Sequence, residues 1–430
     1  FSLGGSTFIN LLPEIIPVLD RAGYDIELSD LRQYQTTFKF QEVSETTFSK
    51  YVWPKGHPKA GEPILLRDYQ VSVINDFLRN PQSVQEVATG AGKTITTAAL
   101  SYTVEPYGRS IVIVPNKSLV GQTEEDYKTV GLDVGVYFGD RKEWGRKHTI
   151  CTWQSLNNLL KDTKSGKAET TIGEFIEDVV CVMVDEVHMA KADVLKQLLT
   201  HNLANAPIRW GLTGTVPKED FNFETLRCSI GDIVHRVAAH ELQEKGVLAN
   251  CHVNIVQMVD NVEFSNYQSE LKHLLETGSR LDAIAEMINK IKDTGNTLIL
   301  VDRVNAGKEL VERIPGAVFV SGNTKLTERK EEYDEVATSS DKVIVATYGV
   351  AAVGINIPRI FNLVLIEPGK SFVRVIQSIG RGIRKAEDKD FVQIWDITST
   401  CKFAKRHLTQ RKNYYKEANY PFSLEKHDYK

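Results

Sequence analysis

Two short stretches of this chain carry residues suited to phosphate chemistry. The first is Thr89-Gly90-Ala91-Gly92-Lys93-Thr94, between a strand-like run at 83–87 and a helix-like run at 95–102. A strand that turns through small residues into a helix start exposes a row of backbone N–H groups, which can wrap a phosphate chain. Lys93 adds a point charge for the β- and γ-phosphates, and the Thr94 hydroxyl suits a magnesium ion. The longer form of such a loop would have Gly where this chain has Val87, so the match is to the shorter T-G-x-G-K-T form. The second stretch is Asp185-Glu186-Val187-His188, directly after the apolar run 179–184. Carboxylates there are costly to desolvate unless something binds them. Asp185 fits a magnesium-linked water, and Glu186 fits the base that orients an attacking water.

Three further groups bear on the same chemistry. Leu66-Arg67-Asp68-Tyr69-Gln70 opens an expected helix through Leu78. Gln70 can offer an adenine edge both a donor and an acceptor, and Arg67 can bracket the base. Leu212-Thr213-Gly214-Thr215 follows an expected strand at 208–211 and could link hydrolysis to something bound on the other face; equally, it could be a plain turn. Gln377-Ser378-Ile379-Gly380-Arg381-Gly382-Ile383-Arg384 places two guanidinium groups three residues apart, on one side of a helix if the stretch is helical. Such a pair can stabilise charge on a γ-phosphate.

The elements that must position these groups are legible as apolar runs separated by helical stretches. Runs at 110–115, 149–152, 179–184 and 208–211 form one set; runs at 297–301, 318–320, 342–346, 362–367 and 391–396 form another. This alternation predicts two parallel-sheet α/β domains, with ligands at the carboxyl ends of the strands. The expected division is 61–245 for the first and 246–400 for the second. Residues 1–60 read as a small α/β accessory unit: a helix at 8–19, strands at 24–28 and 37–43, then a Pro/Gly-rich linker at 53–63. It is either an accessory nucleic-acid contact or a packing appendage. Residues 401–430 read as a basic, aromatic tail with Lys402, Phe403, Lys405, Arg406, Arg411, Lys412, Tyr414 and Tyr415. That mix suits backbone phosphates and stacked bases, or else a terminal helix packing its aromatics inward. The loop 139–148, basic with one Trp, could touch a duplex or act at a strand junction, but reads first as a solvated charge run.

Composition sets the outer limits. At 430 residues, with 42% hydrophobic and 25% charged residues, the chain is long enough for two or three cores. No apolar run approaches the roughly 20 residues that span a bilayer, so no membrane partner is expected. The opening Phe1-Ser2-Leu3-Gly4-Gly5 lacks the pattern of a secretory leader, and an opening Phe in place of Met suggests a start further upstream. Five cysteines without a C-x-x-C pair read as reduced thiols of a cytoplasmic protein. A net charge of −4 gives no global hint of a polyanionic partner, so any basic surface must be local.

Taken in order, these stretches resemble the motifs of a superfamily 2 helicase over about residues 64–400. The resemblance adds Val114-Pro115-Asn116-Lys117-Ser118-Leu119, Thr152-Trp153-Gln154-Ser155, residues 298–303, and Val345-Ala346-Thr347-Tyr348-Gly349-Val350 through Gly354-Ile355-Asn356-Ile357-Pro358. Val320-Ser321-Gly322, the segment around Thr347, residues 377–384 and Trp395-Asp396-Ile397 are similar to the phage UvsW-like group of recombination and branch-migration DNA helicases. Asp-Glu-Val-His stands here where the best-known member has Asp-Glu-Cys-His.

The resemblance implies two tandem RecA-like domains that use ATP and Mg²⁺ in a cleft between them. Arg67, Gln70, Thr89, Gly90, Ala91, Gly92, Lys93, Thr94, Gly354, Asn356 and Gln377 would lie near the nucleotide. Thr94 and Asp185 would hold the metal through water, and Lys93, Asp185, Glu186, Arg381 and Arg384 would be catalytic. Pro115, Thr152, Gln154, Ser321 and Thr347 would meet strand phosphates. The implied partner is DNA, forked or four-way, handled by a monomer in the cytoplasm (of the host, if phage-encoded). An RNA helicase, the motor subunit of a larger DNA-processing complex, and a binding scaffold with a silent nucleotide site are the alternatives.

Overall fold

The computed structural model describes residues 5–430 except 56, 58, 190–191, 217–219 and 355–356. The chain divides into two compact units, Phe1–Val87 with Gly92–Val237, and Ala88–Ala91 with Ala238–Lys430.

The first unit is built on eight strands. They are β1 (Gln82–Val87), β2 (Arg109–Val114), β3 (Val134–Phe138), β4 (Arg141–Lys142), β5 (His148–Thr152), β6 (Val179–Asp185), β7 (Ile208–Thr213) and β8 (Asp232–Val237). Their order in the sheet is β4-β3-β5-β2-β6-β7-β1-β8. Every pairing is parallel except that of short β4 with β3. Parallel strands need crossovers, and the helices Lys93–Val104, Lys117–Thr129 and Trp153–Lys164 lie in them. Val84, Ile111, Ile113, Val182 and Val184 pack with Leu156, Leu159, Leu160 and Leu198 in one core. Each such side chain contributes roughly 1.5–3 kcal/mol by leaving water.

The amino-terminal segment differs from the expected α/β unit. A helix forms at Leu12–Arg21, but neither 24–28 nor 37–43 is a strand, and the segment groups with the first unit. The alternation at 37–43 has another cause. Phe38 and Phe40 stack on each other, ring centroids 5.4 Å apart, and both meet Tyr107 edge-on at 5.3 Å. Period two here places two aromatics on an existing surface and makes no ladder. Tyr24, Leu28 and Leu31 stay exposed, so a strand at 24–28 would bury no apolar face. The linker-like stretch closes on itself through the Val52–Pro63 bridge and the Trp53–His57 stack.

The second unit carries β9 (Asn250–Met258), β10 (Thr297–Val301), β11 (Ala317–Val320), β12 (Val343–Thr347), β13 (Asn362–Ile366), β14 (Phe391–Ser399) and β15 (Phe422–His427). The order is β11-β12-β10-β13-β14-β9-β15, parallel throughout. β9 and β15 were not anticipated from sequence. The expected helix at 271–291 is two helices, Tyr267–Glu276 and Gly278–Ile291, broken at Thr277 in extended conformation.

The expected tail is part of this unit. Lys402–Glu417 is a helix whose first N–H groups, those of Phe403 and Ala404, donate to the buried Glu270 carboxylate at 3.0 and 2.6 Å. A carboxylate there also suits the helix dipole. Further along, Arg411 grips Asp396 of β14 with two hydrogen bonds of 2.8 Å, and the Tyr415 hydroxyl donates to the same carboxylate at 2.6 Å. A second buried centre joins Arg280 to Asp260 at 3.1 Å and Glu367 at 2.7 Å. The Ser399 and Tyr429 hydroxyls also donate to Asp260. Among the described residues no helix is long and apolar enough to cross a membrane.

Removing one partner of a fully buried, hydrogen-bonded ion pair leaves an uncompensated charge. Arg411→Met is therefore expected to lower stability by about 3–5 kcal/mol. Lys405→Met, on the exposed side of the same helix, should stay within about 0.5 kcal/mol. Urea unfolding followed by circular dichroism distinguishes the two, and an Arg411→Met protein as stable as its parent would refute the bracing role.

Candidate nucleotide and strand sites

Sheet order brings together the catalytic candidates of the first unit. β6, β7 and β1 are adjacent and parallel, so the turns after Asp185, Thr213 and Val87 leave the same sheet edge side by side. The loop after β1 contains Thr89, Gly90 and Ala91. It reaches the Lys93–Val104 helix through Gly92, whose φ of 82° lies in the left-handed region. A Cβ at Gly92 would also lie 2.6 Å from the Gln70 side-chain nitrogen. Conformation and space both require glycine there. Gln70 is placed by a capping box: its carbonyl oxygen accepts the Arg67 N–H at 2.9 Å at the start of the Asp68–Arg79 helix. Arg67 itself is exposed, and its guanidinium donates to the Tyr69 hydroxyl at 2.9 Å.

Lys93 and Glu186 form an ion pair of 2.9 Å, both side chains nearly buried. Glu186 holds a left-handed φ of 49°, unusual for a residue with a Cβ and costly by about 1–2 kcal/mol. Its other carboxylate oxygen accepts the Gly214 N–H at 3.3 Å. Asp185 accepts the Glu186 N–H at 2.9 Å. His188 reaches Thr213 Oγ1 at 2.5 Å, and Thr213 in turn donates to the Thr215 carbonyl at 2.7 Å. That chain of bonds makes His188 Nδ1 the protonated nitrogen, because the Thr213 hydroxyl hydrogen is committed to Thr215. Burial pushes the His188 pKa down to about 4, with nearby Lys93 acting the same way against Glu186.

One group near this site escaped the sequence reading. Asp126 lies beside the Thr94 hydroxyl, and burial pushes its carboxyl up to about 6 despite that favourable neighbour. Asp126 lies in the Lys117–Thr129 helix beside Glu124 and Glu125. Only the packing of that helix on Lys93–Val104 decides which of the three acids faces Thr94. The donor set fits a triphosphate with a hard divalent cation: a lysine, a helix start behind a left-handed glycine, a hydroxyl and two carboxylates. Among the described residues no group of three or more His, Cys, Asp or Glu is placed to hold a metal alone.

In the second unit the Phe372–Gly382 helix carries Gln377, which is buried, and Arg381. Arg384 does not continue it, contrary to the expected helical pair. The helix ends at Gly382, where a Cβ would lie 2.9 Å from Leu363 of β13, and Arg384 sits in an antiparallel bridge with Leu248. The buried Lys389 holds this end in place. Its ammonium donates to the carbonyls of Pro358, Gly382 and Arg384 at 2.9, 2.6 and 2.8 Å. Burial, with Arg384 nearby, brings its pKa down to about 7. Gly354 ends the Tyr348–Gly354 helix, and Asn356 lies outside the described residues.

The strand-contact candidates fall into neighbouring pairs. Val114 lies opposite Thr152 in the β2–β5 register, so Pro115 follows beside Thr152. Val320 lies opposite Ala346 in β11–β12, so Ser321 follows beside Thr347. The Thr152 hydroxyl accepts the Ser155 N–H at 3.3 Å and caps the Trp153–Lys164 helix, leaving Gln154 exposed in its first turn. Ser321 is buried in a local turn closed by its N–H to Thr324 Oγ1 at 3.0 Å. The basic loop after β3 is largely self-paired, Arg141 bridging Glu124 and Glu143, with Trp144 exposed.

This fold and this site define a motor ATPase of the helicase type. Residues 63–218 match the type III restriction enzyme res subunit model, and residues 279–386 match the helicase conserved C-terminal domain. The chain belongs to the superfamily 2 helicases and is an ATP-hydrolysing enzyme of that class. It is similar to the ATP-dependent DNA helicase UvsW of Enterobacteria phage T4, with 25% identity over 371 residues, 80% of this chain and 71% of the phage protein. It is also similar to the DNA 3'-5' helicase XPB of Kineococcus radiotolerans, with 23% identity over 372 residues, 84% of this chain and 64% of that protein. In fold it resembles Mycobacterium smegmatis helicase Lhr, solved with single-stranded DNA and AMP-PNP, at 17% identity and a TM-score of 0.58. That match covers 83% of this chain and 48% of Lhr.

The His188 environment gives a pH signature. Its folded pKa of about 4 lies below the usual 6.5, so the unfolded chain binds the extra proton between these values. Stability is therefore complete above pH 6.5 and falls as pH drops toward 4, by at most roughly 3 kcal/mol from this group. His188→Asn keeps a neutral donor for Thr213 and should flatten that part of the urea-midpoint profile. Superimposable profiles for parent and variant would rule the assignment out.

Proposed function

We propose that the chain is an ATP-driven motor that translocates on DNA and remodels forked and four-way junctions. The observation that carries this reading is the gathering of Lys93, Glu186 and Thr213 at the ends of β1, β6 and β7. Pro115 with Thr152, and Ser321 with Thr347, end neighbouring strands in the same way and supply backbone-phosphate contacts. Contacts of that kind position a strand without reading its sequence. The names of the phage and bacterial relatives, both DNA helicases, support DNA as the substrate.

In this reading Lys93 exchanges Glu186 for the phosphates of ATP. The exchange releases the Glu186 carboxylate to orient the attacking water, so substrate arrival itself prepares the base. Thr94 and Asp185 would hold Mg²⁺ through water, and the ion would screen the phosphate charge. Arg381 and Arg384 stabilise the charge that develops on the γ-phosphate, and Gln377, Gly354 and Asn356 line the nucleotide. Thr213, bonded to His188 and next to Gly214, couples the hydrolysis site to the bound strand. A motor subunit of a larger DNA-processing assembly is the second reading, favoured by the restriction-subunit model that covers 63–218.

Steady-state ATP hydrolysis with single-stranded DNA, duplex, a fork, a four-way junction and single-stranded RNA tests both. Fork and junction should stimulate turnover most, and Glu186→Gln should lower kcat by about 100-fold or more. Preferential stimulation by RNA, or a fully active Glu186→Gln, would overturn the proposal.

A further inference from the structure

A cavity of about 390 Å³ lies wholly within the second unit; none of the residues assigned above to nucleotide and strand lines it, and among its lining residues are Lys370, Arg374, Arg406, His407, Tyr267 and Phe403. Its volume is at the lower end of the roughly 300–1,000 Å³ of small-molecule sites. Every charged group on its wall is cationic, and no carboxylate lines it. Asp302 is paired with Arg374 of the wall itself at 2.9 Å, Glu270 accepts the N–H groups of Phe403 and Ala404, and Glu367 and Asp396 are held by Arg280 and Arg411. Lys370 and Arg406 are exposed at the wall, with no acid partner among the described residues. The Phe372–Gly382 helix begins at this wall, where the Ser371 hydroxyl accepts the Arg374 N–H at 3.3 Å. Its positive end adds to the same field.

A second, independent feature points into the cavity. His407 is nine-tenths buried, and its ring has no hydrogen-bond partner among the described residues. The ring meets Tyr267 edge-on at 4.6 Å. Burial first, then the fields of Arg411, Lys370 and Arg406, bring its pKa down to about 4. A buried polar ring facing a cationic hollow is matched by a ligand that carries negative charge and can take a hydrogen bond. Tyr267 and Phe403 add half-buried aromatic surface beside the charges, the combination that accepts a phosphate together with its neighbouring base.

We propose that this cavity is a strand-binding subsite that takes one backbone phosphate of single-stranded nucleic acid at Lys370, Arg406 and His407, with the adjoining base against Tyr267 and Phe403. The base must be unstacked to reach the rings, so a single strand fits and an intact duplex does not. The subsite rests on the proposal that the chain works on nucleic acid and adds a foothold from the carboxyl-terminal helix Lys402–Glu417.

The test uses the full chain with ¹³C-labelled histidines, His407→Gln assigning the relevant signal. A single-stranded oligonucleotide should shift the His407 signal and raise its pKa, because the arriving phosphate offsets the surrounding cations. The duplex of the same sequence should do so far less. The double variant Lys370→Gln/Arg406→Gln, checked for an unchanged melting temperature, should bind the strand roughly tenfold more weakly. Its log–log salt slope should be shallower by about 0.7, for the one lost phosphate contact. Inorganic phosphate and a mononucleotide form separate arms. A shift with either of these but not with the strand would assign the cavity to a free ligand and overturn the proposal. So would strand binding that leaves His407 unmoved, or a double variant with the parent's affinity and salt slope. Failure of the functional reading looks different: no nucleic acid stimulates ATP hydrolysis in the parent.

Discussion

The parallel pairing of β6, β7 and β1 is the constraint on which the first unit's chemistry depends. Lys93, Glu186 and Thr213 are far apart in sequence, and no local interaction could bring them together. Parallel neighbours with crossover helices do so automatically, because every strand ends on the same edge. The register fixes the rest. Glu86 lies opposite Thr213 and Asp185 opposite Leu212, so a one-residue slip would turn Asp185 to the other face of the sheet. The local cost appears at Glu186, in a left-handed conformation that a glycine would adopt more easily. Its carboxylate is held by Lys93 and the Gly214 N–H, and those bonds oppose relaxation of the strained backbone.

The second unit solves a different problem with similar means. Its central strands β10, β12 and β13 are apolar in the interior except at Thr297 and Asn362, but polar residues in and just after β9, β13 and β14 must also be satisfied there. Asp260, Glu367 and Asp396 take that role with Arg280 and Arg411, each guanidinium also donating to backbone carbonyls. Buried ion pairs add little net stability over apolar packing, so their value here lies in registration. Arg411 can sit in only one place, and with it the helix that carries Phe403, Arg406 and His407 is fixed against β14. A helix bound only by an apolar stripe could slide by a turn; this one cannot do so without stranding Asp396.

Most of this organisation was legible in the sequence, for a physical reason. Strands buried on both faces are unbroken apolar runs, so β2, β6, β10, β12 and β13 stand out, and the loops after them carry recognisable chemistry. The failures have equally physical causes. β15 is exposed along most of its length and exists because β9 offers it an edge, which no local pattern announces. β9 alternates Asn250, His252 and Asn254 with Cys251, Val253 and Ile255, a signal masked by the surrounding helical text. Phe38 and Phe40 imitate a strand while packing on Tyr107. Arg384 was expected to share a helix face with Arg381, but the close approach of Gly382 to Leu363 and the bonds from Lys389 end the helix first. Asp126 was hidden among three consecutive acids, where only tertiary packing selects one.

Electrostatics explains why the net charge of −4 is a poor guide to what this chain can bind. Many of its cations are structural. Arg209 donates to the carbonyls of Leu203, Ala204, Ala206 and Ser229, Lys389 to three more, and Arg280 and Arg411 are sealed inside. Such groups project little field into solvent, where screening confines any charge to about 8–10 Å. The cations that matter to a polyanion are those left without a partner at a concave surface. Lys370 and Arg406 qualify: neither has an acid partner among the described residues, while Glu367, Asp396 and Asp302 of the same unit are held by Arg280, Arg411 and Arg374. The internal ion pairs of the second unit thus do two things at once: they register its carboxyl-terminal helix, and by occupying the local carboxylates they leave the wall of its cavity positive.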